Sequence, residues 1–428
     1  MNKSDWLHNY KNRQVKANEA ISVIQSHNKV FLAPFCNEPQ TLVEELVRQK
    51  DRFEQTILYT LNIGSPCLYA TPDAESHFII HSFLHSARLK QAYENHFCDY
   101  LPVNLSQIPA WLKENPVDVA LIQVSPPDEF GKCHLGISVD IIHTLIEQAN
   151  IVIAQVNEEL PVTHGDVYVD VAEIDHFVLS NCPLLDVPSA AGREEEKIIG
   201  QYVAEIIPHR ATIQVGVGRL ADSILGSLKE KRDLGIHSGS ITDMAVDLME
   251  SGVVTNAYKE INQHQTICTT LTGTKRLYAF AHQNEAIHLQ PVEYTHNPAV
   301  IAQISQFYSI NSALEVDLLG NVNAEQAGRY PLGGVGGQMD FILGSRLSTR
   351  GRSIITLPST AKKGTESRIR LSTSFVTSVK SEIDYVVTEY GVASLFGKTV
   401  KERAAELLAI AHPAFKDELK WQLNQNEV

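Results

Sequence analysis

ATIQVGVGRLADSIL, residues 211–225, reads as a β-strand that turns through glycines directly into a helix. Its first half is rich in apolar residues on both faces, as a strand inside a parallel sheet must be. In LADSILGSL (220–228), Ile224, Leu225 and Leu228 then share one helical face. The same strand signal recurs at 29–35, 117–125, 150–157, 353–359 and 384–391, with helical stretches between. TVKERAAELLAIAHP (399–413) is the clearest of these: Thr399 is placed as N-cap and Glu402 completes a capping box. Val400, Ala404, Leu407, Leu408 and Ala411 form its apolar stripe, and Pro413 stops it. Strand followed by helix, repeated, predicts an α/β fold of open, mostly parallel sheets covered by helices on both faces. DVPSAAGREEEK (186–197) is small and polar and reads as a linker, so the expected domains are 1–187 and 188–428.

The chain has 428 residues and a mass of 47.5 kDa, enough for two or three well-built cores. Its net charge of −14 and pI near 5.6 argue against a nucleic-acid partner, which needs a basic field. No apolar run reaches the ~18 residues of a membrane helix, and the N-terminus lacks the apolar core of a signal peptide. Cysteines 36, 67, 98, 133, 182 and 268 have no paired spacing and read as reduced thiols. The 17 histidines are scattered, with no HExxH or CxxC, so no metal is expected. These features together predict a cytoplasmic enzyme. GVGRLA (216–221) lacks the last glycine of a dinucleotide fingerprint, and HSGSIT (237–242) is not a serine-hydrolase elbow.

Four clusters could carry chemistry. Gly216 and Gly218 lead into a helix whose N-terminus adds about half a positive charge, which suits a phosphate or an oxyanion. A tight strand-to-helix turn explains the same pattern. LGIHSGSITDMAVDLMESG (234–252) follows a short apolar run, and Ser240 or Thr242 can be read as a simple N-cap. In NSALEVDLLGNVNAEQAGRYPLGGVGGQMDF (311–341), Glu315 and Asp317 fall on one strand face, either for acid–base work or as a paired edge. Four glycines within 333–337 let the backbone approach a ligand or another segment closely. Lys362, Lys363, Arg368 and Arg370 form a basic cluster in an acidic chain, suited to a small polyanion or to a solvated loop.

Taken in order, these segments resemble the family I coenzyme A transferases, in the branch of the 4-hydroxybutyrate and acetate CoA-transferases, also described as acetyl-CoA hydrolase/transferases. The segments are QVGVGRLADSIL, LGIHSGSITDMAVDLMESGVVTNAYK, GTKRLYAF, NSALEVDLLGNVNAE, GGVGGQMDF, LPSTA and VTEYGVASLFGKTVKERAAELLAIAHP. DYLPVNLSQIP (99–109) and QVSPPDEFGKCHLG (123–136) extend the likeness through the N-terminal half. The resemblance implies two similar α/β domains with the active site in the cleft between them. It also implies acyl-CoA and a small carboxylate as substrates, no permanently bound cofactor, and a homodimer or homotetramer. By similarity, Gly216, Val217, Gly218, Arg219 and Leu220 would line the CoA and oxyanion site, and Gly336, Gly337 and Gln338 would complete it. Charge alone adds Lys362 and Lys363 as contacts for CoA phosphates.

In the mechanism implied by the resemblance, a glutamate attacks the thioester, and an acyl-glutamyl anhydride and an enzyme–CoA thioester follow. The matching stretch here is His237-Ser238-Gly239-Ser240-Ile241-Thr242-Asp243, with Gly239 at the nucleophile's position. Glycine cannot form an anhydride. Three readings follow. A transferase would use another carboxylate, Glu315 being the nearest in sequence, or direct attack by the acceptor acid. A hydrolase would hold a water beside Gly239, activated by His237 or Asp243. The third is a CoA-ester binder with little catalysis.

Overall fold

The computed structural model describes residues 3–61 and 64–425. The chain divides into two compact units: Met1–Val187 with Thr269–Glu293 and Tyr330–Gly336, and Pro188–Cys268 with Tyr294–Arg329 and Gly337–Val428. Two stretches that lie beyond the linker in sequence therefore pack with the first unit.

The first unit is built on a seven-stranded sheet. Its strands are β1 (Lys29–Leu32), β2 (Thr56–Thr60), β3 (Phe78–Ser82), β4 (Cys98–Tyr100), β5 (Val117–Val124), β6 (Ala149–Val156) and β7 (His176–Leu179). Their spatial order is β7-β6-β5-β1-β2-β3-β4, and every pairing is parallel. The helix α1 (Gln40–Arg48) sets Leu42, Val43 and Leu46 against Val30, Leu32, Leu58 and Leu121 of the strands. Such burial is worth about 1.5–3 kcal/mol per large side chain. Because β2 lies on one side of β1 and β5 on the other, the strand order reverses between β1 and β5, where α/β sheets open a crevice.

The second unit repeats the plan. Its sheet comprises β8 (Thr212–Val215), β9 (Gly235–Ile236), β10 (Phe307–Ser312), β11 (Arg352–Thr356), β12 (Tyr385–Thr388) and β13 (Gly391–Ser394). The order is β9-β8-β10-β11-β12-β13, parallel except for the β12–β13 hairpin. Order reverses here between β8 and β10. The helices used below are α2 (Glu194–Ile206), α3 (Arg219–Gly226), α4 (Asp243–Glu250), α5 (Gln338–Leu347) and α6 (Val400–Ala409).

The capping box of α6 forms as expected: Glu402 Oε2 accepts the Thr399 N–H at 2.7 Å, and Thr399 Oγ1 accepts the Glu402 N–H at 3.4 Å. Ala404, Leu407 and Leu408 enter the core, as does Ala411 just past the helix end, whereas Val400 is exposed. Pro413 begins a further helix, Pro413–Gln425, because a proline costs nothing at a first helical position. All six cysteines are free. Among the described residues no helix is long and apolar enough to cross a membrane, and no cluster of His, Cys, Asp and Glu could hold a metal ion.

Candidate functional site

A cavity of about 700 Å³ opens at the carboxyl ends of the second unit's strands. Val217–Ala221 follow β8, Ser312–Leu314 close β10, Pro358–Lys363 follow β11, and Glu389 and Tyr390 follow β12. Six of the candidate residues line it: Val217, Gly218, Arg219, Leu220, Lys362 and Lys363. Gly218 has φ +121°, a conformation that favours glycine, and it caps the N-terminus of α3. A Cβ at Gly216 or Gly218 would meet nothing within 4 Å, so the loop presents bare backbone to open space.

The charges around this cavity are sorted into held and available groups. Arg193, Arg219, Lys362, Lys363 and Arg368 face Glu195, Glu196 and Glu389. Arg219 Nε donates to both oxygens of buried Glu196, at 2.7 and 2.9 Å. Burial pushes the Glu196 carboxyl up, but the hydrogen bonds from Arg219 and from the Arg193 backbone outweigh it and hold the group below its ordinary value. Glu389 is likewise committed, accepting from the Ser359 hydroxyl at 2.5 Å and the Ser359 N–H at 2.8 Å. Lys362 reaches Glu366 at 2.8 Å. Arg368 gives one Nη to the Ala313 carbonyl at 3.3 Å, while its Nε is buried without a hydrogen-bond partner, and desolvation lowers its pKa. A guanidinium paying a desolvation cost beside a cavity is suited to an anion.

The segment after β9 lies alongside the glycine loop. Ser238 Oγ donates to the Val215 carbonyl at 3.2 Å, and Gly216, Ser238, Ser240 and Thr242 line one small cavity. His237 is fully buried and its Nε2 donates to the Thr295 carbonyl at 2.9 Å. Its Nδ1 is buried without a partner. Burial, then the nearby Lys259 ammonium, push the ring's pKa down to about 3. The Nε2 proton of His237 is engaged by Thr295 and the ring lines neither the 700 Å³ cavity nor the small one, so no geometry supports the role of base that its sequence position suggests. Asp243 is the first residue of α4, half-buried, behind a Thr242 hydroxyl that donates to Asp222 at 2.8 Å.

Glu315 is also otherwise engaged. Arg370 Nη2 and Nε meet its Oε1 at 2.9 and 3.0 Å, and neither residue lines the 700 Å³ cavity. Asp317, buried, ties the following turn by accepting from the Leu319 and Asn321 N–H groups. The glycine run serves two jobs. Gly333 pairs with the backbone of His85, Val335 N–H donates to Tyr100 Oη at 2.7 Å, and the Gly336 carbonyl accepts from Leu105 N–H at 2.9 Å, all within the first unit. Gly337 instead caps the N-terminus of α5 in the second unit, and Gln338 Nε2 donates to Ser378 Oγ at 2.9 Å. Gly336, Gly337 and Gln338 do not line the 700 Å³ cavity.

Residues 1–186 match the acetyl-CoA hydrolase/transferase N-terminal domain and residues 273–423 the corresponding C-terminal domain. The 4-hydroxybutyrate coenzyme A transferase of Clostridium kluyveri is 41% identical over 421 residues, 97% of this chain and 98% of that protein. This chain belongs to the acetyl-CoA hydrolase/transferase family. The chain is thus an enzyme of a CoA-transferase family. The crystal structure of RipA from Yersinia pestis superposes with a TM-score of 0.93 at 30% identity, covering 99% of each chain. A 4-hydroxybutyrate CoA-transferase from Porphyromonas gingivalis superposes at 0.84 with 32% identity, covering 98% of this chain and 100% of that one.

Within this family's fold, the second unit supplies a cation-lined cavity and a glycine loop, but Gly239 supplies no carboxylate. What adjoins Gly239 is His296, a residue that sequence reading passes over. A Cβ on Gly239 would lie 3.0 Å from His296 Nε2, and one on Gly337 would lie 2.3 Å from His296 Cδ2. The ring sits in a slot between two glycines, tilted against Phe341 at 4.6 Å. Only the two bare glycines at 239 and 337 hint at it in the sequence, since a lone histidine in YTHNP (294–298) carries no pattern of its own.

Proposed function

We propose that this chain moves coenzyme A between a short-chain acyl-CoA and a small carboxylic acid, of the 4-hydroxybutyrate, acetate or butyrate kind. The observation that carries the reading is the open, cation-lined cavity at the carboxyl ends of β8, β10, β11 and β12. In this reading the N–H groups of the 216–220 loop and the α3 N-terminus receive the anionic and oxyanionic parts of the substrate. Lys363 and Arg368 meet CoA phosphate, with Lys362 at the rim already shared with Glu366. Asp243 and Glu315 stay structural in this reading. Coenzyme A esters are substrates here and not resident cofactors. The working form is a cytoplasmic homodimer or homotetramer, a point that light scattering decides.

A hydrolase is the second reading, favoured by Gly239 in place of a carboxylate nucleophile. Chromatography of an acyl-CoA panel, with and without acetate, separates the two. New acyl-CoA that appears only with the acid is the expected result. Free CoA formed at the same rate without the acid would replace transfer by hydrolysis. The cavity assignment has its own check: Arg368→Ala should weaken the CoA-induced rise in melting temperature.

A further inference from the structure

The slot around Gly239 is filled by an imidazole rather than left empty. His296 lies between Gly239 and Gly337: a Cβ at 337 would clash with the ring, and one at 239 would press on it so that the ring must give slightly. At the far edge of the ring, Nδ1 and Thr295 Oγ1 are 2.8 Å apart, while the Thr295 carbonyl takes the Nε2 proton of His237. One threonine thus fixes both histidines, and it leaves His296 Nε2 as the nitrogen turned toward Gly239. Gly239 itself is only partly buried, and its neighbours Ser238 and Ser240 share a small cavity with Gly216 of the anion loop.

From this arrangement we infer that His296 Nε2 is the nucleophile that takes the place of the family glutamate, forming an acylimidazole with the acyl group of the CoA ester. The inference rests on the acyl-CoA reading of the preceding subsection. Burial alone drives the His296 pKa down to about 3, so the ring is neutral and needs no base to unmask it. The reaction requires the tautomer in which Nδ1–H donates to Thr295 Oγ1, which places the lone pair on Nε2, the nitrogen nearest Gly239.

The steps balance without a further reagent. Nε2 attacks the thioester carbonyl, the C–S bond breaks, and CoA leaves as thiolate. The positive charge on the acylated ring is matched by that thiolate. The acceptor carboxylate then attacks the acyl carbon, the C–N bond breaks, and a mixed anhydride of the two acids forms while the ring returns to neutral. CoA thiolate attacks the acceptor's carbonyl carbon, a C–O bond breaks, and the products are the acceptor's CoA ester and the donor acid. One acceptor oxygen passes directly into the donor acid. A glutamate route would instead route oxygen through the enzyme's own carboxylate.

The test uses the full chain and butyryl-CoA with acetate. His296→Asn is expected to lose at least about 100-fold in turnover while CoA still raises its melting temperature. Wild-type protein mixed with butyryl-CoA alone, quenched and digested, is expected to carry one butyryl mass on the peptide containing His296. In a single turnover with ¹⁸O-acetate, the released butyrate is expected to gain label. A His296→Asn protein within threefold of wild type (~0.6 kcal/mol), or the acyl mass on a carboxylate or on no residue, overturns the inference while the transferase reading stands. The peptide and oxygen measurements need no variant, so a misfolded His296→Asn leaves the outcome decided. Wild-type protein that turns over no acyl-CoA, with or without acetate, overturns the transferase reading and this inference together.

Discussion

The two points at which strand order reverses are built from the same parts and finished differently. At the first, Asn37 follows β1 and meets Gln123 of β5, with Gln123 Nε2 donating to Asn37 Oδ1 at 3.1 Å. At the second, Gln214 of β8 and Asn311 of β10 exchange amide hydrogen bonds at 3.2 Å in both directions. The first is then sealed. Gln155 and Asn157 add to the amide cluster, and Glu38 is buried and held by Ser65 Oγ at 2.6 Å and Gln40 Nε2 at 3.0 Å. Burial pushes the Glu38 carboxyl up to about 7. The second is left open, with bare glycine backbone, and its buried carboxylate Glu196 faces a guanidinium instead of hydroxyls and amides. A doubly wound sheet supplies the crevice, and what is packed into it decides whether it is a core or a site.

Four changes would break or sharpen that contrast. The largest effect concerns position 239. Gly239→Glu alone should yield no gain in transfer, because its Cβ already crowds His296 Nε2. Paired with His296→Asn, the glutamate should raise acyl-CoA:acetate exchange at least about tenfold over His296→Asn alone. Next, Arg219→Ala strips the cation from buried Glu196 and should cost about 2–3 kcal/mol in urea unfolding, against near-neutral changes at exposed Lys197. Third, Glu38→Gln should flatten the acid-side advantage of the first unit. Its folded pKa lies above the unfolded one, so its contribution is full below the ordinary carboxyl range and is lost as pH rises through about 7. Melting curves from about pH 5 to about pH 8 should therefore fall more for wild type than for the variant. His296 has the opposite sign: with its pKa depressed to about 3, its contribution is lost as pH falls below the ordinary histidine range. Smallest, Gly218→Ala should cost about 1 kcal/mol from its φ of +121° alone, read as a shift in melting temperature.

Much of the fold is legible in the sequence because buried parallel strands announce themselves by continuous apolar runs. β5, β6, β8, β11 and β12 all fall where such runs stand. β2 and β3, with threonine, histidine and serine at their ends, are quieter and escape notice. The glycine loop before α3 is legible for the same local reason: a strand, two glycines and a helix leave few alternatives. The rest of the site depends on distant partners. Glu315 looks like a free carboxylate until Arg370, 55 residues later, is found beside it. Gly336 reads as a ligand loop, yet its carbonyl is spent on Leu105. His296 is invisible for the same reason, because only folding brings 239, 296 and 337 together.

The margins of the two sheets carry a consequence for how the protein behaves when crowded. β9 has two residues and is flanked by the Ile267 backbone, which takes the Ser238 N–H at 2.9 Å. The other margin of that sheet turns back on itself as the β12–β13 hairpin. In the first sheet β4 has three residues, and the outer side of β7 is capped where Phe177 exchanges backbone hydrogen bonds with Arg13 and Val15 at 2.9 and 3.0 Å. Thirteen strands of strongly apolar sequence thus expose no long unpaired ladder to a neighbouring copy. Fibril-like growth by strand addition has nowhere to begin until one of these short margins is peeled away.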